Sequence, residues 1–147
     1  MSITNPEDHE YDWISATEEC SVACEFAQLQ DNARRCVETR NQKINDSSEK
    51  FTLEVVTESK FLVRSCSGHF VSFASHSDFI EVQCADLVGD HGTTPYSLCR
   101  LSLTLNEEAE LRYRINGKGE HLRWQVMKHT LKNLLFLLPR QLESTPN

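Results

Sequence analysis

The chain has 147 residues, of which 39% are hydrophobic and 25% charged, with a formal charge of −7. That size and balance belong to one globular domain, long enough to bury roughly two thirds of its unfolded surface without a disulfide or metal staple. The acidic balance argues against nucleic acid as a partner, because phosphate recognition draws on a basic face.

The opening residues, Met1 to Asp8, carry neither the basic nor the apolar region of a signal peptide. The longest apolar run, Leu134 to Leu138, is too short to span a bilayer. A cytoplasmic protein without membrane attachment is therefore expected, as one domain over 1–147. Residues 1–10 and 140–147 are polar and contain proline, and are expected to be flexible and dispensable for folding. The six cysteines contain no Cys-x-x-Cys pair and are expected to be thiols.

In chain order, the first predicted element is a long helix from about Asp12 to Lys43. Trp13, Ala16, Cys20, Cys24 and Ala27 recur at helical spacing, and Phe26, Leu29, Ala33 and Val37 continue a shifted stripe. Residues 1–33 hold acids but no Lys or Arg, and Arg34, Arg35, Arg40 and Lys43 then arrive together, an order that suits the helix dipole. Asn45-Asp46-Ser47-Ser48 breaks the helix. The period then falls to two. Runs around Phe51–Val55, Phe61–Val63, Phe70–Phe73, Phe79–Cys84, Leu101–Leu105 and Leu111–Ile115 are separated by short polar turns, except for the irregular stretch 86–97. They predict an α+β fold with an antiparallel meander of about six strands, covered on one face. Asn116-Gly117 is a hairpin signal, yet Trp124, Met127, Leu131 and Leu135 fit a helix. The favoured reading is a helix over 119–138, ended by Pro139 and packed on one sheet face. A seventh strand reaching Val126 is the competing one.

No phosphate loop, nucleophile elbow or zinc-protease motif occurs, so a non-catalytic domain with no cofactor is expected. One constellation is chemically suggestive. In a meander, Cys66, His69, Cys84 and His91 fall toward one sheet edge, with Cys99 nearby and His76 at the opposite edge. They form the candidate ligand set for zinc, or for a thiol activated by histidine. The bland alternative, buried thiols and surface histidines, is favoured over both.

The C-terminal helix is apolar nearly all round in its last turns, so one side of it needs a cover that a single sheet does not give; the first helix lying over it is the favoured cover, and a partner chain is the other. Leu135, Phe136, Leu137 and the neighbouring Lys132 are the candidate interface, with a second copy of the chain or another protein as partner. In general outline the helix–sheet–helix order on a small acidic chain resembles acidic secretion chaperones and adaptors. The middle helix of that fold is missing here or replaced by the 86–97 stretch. A non-catalytic interaction, adaptor or chaperone-like domain that self-associates is the favoured function. A small-molecule binder or enzyme with a pocket between sheet and helix, lined by Phe70, Phe73, Tyr96, Tyr113 and Trp124, is the main alternative.

Overall fold

The computed structural model describes residues 21–85 and 96–137. Helix α1 spans Val22–Gln42 and is followed by a 3-10 turn at Ser47–Glu49. The strands are β1 (Thr52–Thr57), β2 (Lys60–Arg64), β3 (Phe70–Ser75), β4 (Ile80–Ala85), β5 (Tyr96–Leu105), β6 (Leu111–Ile115) and β7 (Lys118–His121). Helix α2 spans Arg123–Lys132 and runs on as a π-helical turn, Asn133–Leu137. The seven strands pair in sequence order, each antiparallel to the next. This is the α+β meander expected, with one strand more than the sequence pattern implied.

Two boundaries differ from expectation. The helix predicted from Asp12 does not run through Ser21, whose backbone is extended and whose Oγ accepts from the Cys24 N–H at 3.1 Å, capping a helix that starts at Val22. Residues 12–20 lie outside the described range, as do 1–10 and 140–147. The favoured C-terminal helix from Gly119 begins too early. Asn116 and Gly117 both take positive φ, 54° and 77°, and turn β6 into β7. That mirror-image turn matches strand twist, so local turn chemistry wins over the helical spacing that follows it. The helix starts only after Leu122, whose N–H donates to Gln125 Oε1 at 2.7 Å.

Register sorts the strand side chains. Phe61 faces Phe73, Val63 faces Val71, Phe73 faces Val82, and Leu101 faces Ile115. This face meets Phe26, Leu29, Ala33 and Val37 of α1 and Val126, Met127 and Leu131 of α2 in one continuous core. Phe61 is the centre of it, stacked on Phe73 at 4.8 Å and tilted against Phe26 at 5.2 Å. Arg64, Ser72, Arg100, Ser102 and Arg114 alternate with the core residues, on the face that no described helix covers. The end of α1 is fixed to the sheet by Asn41, whose side-chain amide both donates to the Phe51 carbonyl (2.9 Å) and accepts from the Phe51 N–H (2.8 Å).

Replacing Phe61 with Ala should destabilise the fold by about 3–5 kcal/mol, the usual range for a buried phenylalanine. Replacing the half-exposed Val55 on edge strand β1 with Thr should change stability by no more than about 0.5 kcal/mol. Urea unfolding of the two variants checks the contrast.

Candidate functional site

The two helices are fastened to each other at both ends. At the start of α1, Glu25 sits among apolar neighbours and is only 8% exposed. Its carboxylate accepts a hydrogen bond from the Tyr113 hydroxyl of β6 and is held by Arg123 of α2, Nε to Oε1 at 3.2 Å and a terminal nitrogen to Oε2 at 3.4 Å. Burial, then the hydrogen bond to Glu25 and its charge, push the Tyr113 hydroxyl well above the usual tyrosine range. Partial burial works to discharge Arg123, but its bonds to Glu25 and Tyr113 outweigh that and hold the guanidinium charged. At the far end of α1, Arg40 Nε donates to the Leu135 carbonyl at 2.9 Å, and the same guanidinium lies 4.6 Å over the Phe136 ring. Glu25 thus meets Arg123 and Arg40 meets Leu135, so α1 and α2 run in the same direction.

Between these two fastenings the helices leave a groove of about 540 Å³. Cys36, Met127, Leu131 and Leu135 form its floor, and Trp124 and Phe136 flank it, 59% and 52% exposed. Arg35, Arg40 and Lys43 on α1 and Lys128 and Lys132 on α2 stand around it, and none of the described lining residues is acidic. Five of the chain's 15 Lys and Arg residues therefore converge on one groove of a chain whose net charge is −7. Burial raises the Cys36 thiol above its ordinary value, which keeps it protonated and unreactive at neutral pH.

Three of the four predicted interface residues meet here. Lys132 is on the rim, Phe136 on the flank and Leu135 on the floor. Leu135 is also 5% exposed and part of the core. With its wider spacing the π turn brings Leu134 and Leu135 into the core together while Phe136 stays outside. The side chain of Leu137 lies outside the described residues.

The predicted ligand set is only partly gathered. His69 and Cys84 line one small recess of about 110 Å³ beside Tyr96, His129 and Asn133. Cys66 is exposed in the β2–β3 turn and does not line it, and His91 lies outside the described residues. Among the described residues no group of three His, Cys, Asp or Glu side chains is placed to hold a metal. Burial and the neighbouring Cys84 push the Cys99 thiol up to about 11. The aromatics proposed to line a pocket under the helix are dispersed. Phe73 and Tyr113 are fully packed, Phe70 and Tyr96 border the recess, and Trp124 stands on the outer groove.

Glu25 was missed by sequence reasoning, although a signal was there. It falls on the face of Val22, Phe26 and Leu29, where a solvated acid does not belong. No described helix is long and apolar enough to cross a membrane. No family model matches the chain, and neither the curated proteins nor the solved structures include a significant match.

The Tyr113 arrangement sets an alkaline limit. The unfolded chain ionises tyrosine near pH 10, while the folded state resists ionisation, so the stabilisation is complete below about pH 10 and declines above it. One proton corresponds to a slope of about −1.4 kcal/mol per pH unit. Tyr113→Phe should remove that contribution, leaving the decline of equal maximal slope that Cys99 gives between 9.0 and about 11. Chemical denaturation from pH 8 to 11 in both proteins measures it.

Proposed function

We propose that this protein is a non-catalytic interaction domain that receives an acidic, amphipathic segment of a partner protein in the groove between α1 and α2. The observation that carries this reading is the convergence of Arg35, Arg40, Lys43, Lys128 and Lys132 around an apolar floor flanked by Trp124 and Phe136. An apolar helix face laid on Met127, Leu131 and Leu135 would bury surface at about 25 cal/mol per Å². Acidic residues flanking that face would meet the cations, which favours fast encounter and the choice of an acidic partner over a basic one. Trp and Arg at a groove are the residue types in which binding energy concentrates.

Self-association was expected from the C-terminal helix, and the rim charge constrains how it can occur. Two grooves apposed face to face would set five cations against five, and like charges at contact cost about 1 kcal/mol each even in water. A second copy suits the groove only through an acidic part of its chain.

Two synthetic amphipathic helices with the same leucine face test this, one with a glutamate polar face and one with a lysine polar face. The glutamate peptide should bind about tenfold more tightly, a difference of about 1.4 kcal/mol. It should also crosslink to a photoreactive residue placed at Phe136 but not at Ser102 on the opposite sheet face. The exposed charge reversals Lys128→Glu and Lys132→Glu should abolish the preference. Equal binding of the two peptides, or crosslinking at Ser102 instead, contradicts the proposal.

A further inference from the structure

We infer that the groove has an occupant built into the chain: the acidic segment 1–20 docks there in cis and competes with the partner. This rests on the proposed reading of the groove as a docking surface for acidic amphipathic segments. Three observations converge on it.

The first is charge. Residues 1–20 contain Glu7, Asp8, Glu10, Asp12, Glu18 and Glu19 and no Lys or Arg, and the charged residues among the described groove lining are all cations. The second is apolar content. Tyr11, Trp13 and Ile14 lie among these acids. They give the segment apolar side chains of the kind that suits the groove floor of Met127, Leu131 and Leu135.

The third is tether geometry. The Glu25–Arg123 pair sets the start of α1 beside the start of α2, and the next residue, Trp124, lines the groove. The segment therefore joins the described fold close to one end of the groove. On α1 the groove lining runs from Asn32 to Lys43, about 17 Å at 1.5 Å per residue. Twenty residues reach about 30 Å as a helix and about 66 Å extended. Either conformation is long enough to lie along the groove. A tethered segment acts at millimolar effective concentration, so even weak docking raises the threshold that a partner must exceed.

Carbodiimide crosslinking of the full-length chain tests this, because it joins a carboxylate to a lysine amine only when the two are in contact. An equal mixture of natural-abundance and 15N-labelled protein separates links within a chain from links between chains. Glu7, Asp8, Glu10 or Asp12 should link to Lys43, Lys128 and Lys132 within one chain, and the links should be lost at about 0.5 M salt, where screening is strong. Lys50, Lys60 and Lys118 lie away from the groove lining and should stay unlinked to the segment. The variant Glu7→Gln/Asp8→Asn/Glu10→Gln/Asp12→Asn should lose the links and bind the glutamate peptide severalfold more tightly. Linking to Lys50, Lys60 or Lys118 at equal yield overturns the inference, as do links that mix isotopes. If the groove lysines remain unlinked while the glutamate peptide still crosslinks at Phe136, the docking surface stands and its internal occupant falls. If both fail, the groove reading falls with it.

Discussion

A buried carboxylate must be paired, and the pairing of Glu25 fixes how the helical layer sits on the sheet. One oxygen takes the Tyr113 hydroxyl and the fork of Arg123 closes over the group. Three elements distant in sequence, α1, β6 and the start of α2, are therefore held at one point. The apolar core alone would allow the helices to slide, since hydrophobic burial has no direction. A carboxylate with one phenol and one guanidinium does not allow it. The Arg40 contact with Leu135 and Phe136 fixes the other end, and the separation left between the two fastenings becomes the groove.

The charge of the groove follows from the same geometry. Bases in the last turns of a helix favour its dipole, and both helices carry them there. Because α1 and α2 run in the same direction, their basic ends lie side by side instead of opposing one another. An antiparallel pair would have set the basic end of one helix against the start of the other. Parallel placement turns two ordinary helix-stabilising arrangements into one concentrated field over an apolar floor. On the sheet face that no described helix covers, Arg64 is bonded to Glu54 at 3.0 Å, and Arg100 lies over the Phe79 ring at 4.2 Å, as Arg40 lies over Phe136 in the groove.

Much of the fold was legible because its signals are local. Alternation at Phe61–Val63 and Leu101–Leu105 marks strands wherever they pair, and the short turns dictate a meander. The end of α1 was legible for the same reason. Ser21 was not, since the apolar spacing of Cys20 and Cys24 runs across it and the cap is visible only as geometry. β7 was obscured because Leu122, Trp124 and Val126 satisfy both periods, and the Asn116-Gly117 turn had to decide. The basic residues of both helices were visible in sequence, as was the exposed Phe136. Their convergence was not, because it depends on helix direction, which the distant Glu25–Arg123 and Arg40–Leu135 contacts set. The Cys66, His69, Cys84 and His91 grouping rested on a shared sheet edge, which is a line and not a point, and His91 lies outside the described residues. Turn and strand positions along one edge present different sides, so His69 and Cys84 share a recess while Cys66 faces solvent.

The central claim is that partner segments occupy the groove floor, and the most direct probe is a methyl group within it. The chain has two methionines, Met1 and Met127, and Met127 lines the groove. With 13C-methyl methionine, the Met127 resonance should shift saturably as the glutamate-faced peptide is added, at the same midpoint as binding measured by calorimetry. Full calorimetric binding with the Met127 methyl unmoved would place the partner elsewhere and contradict the account.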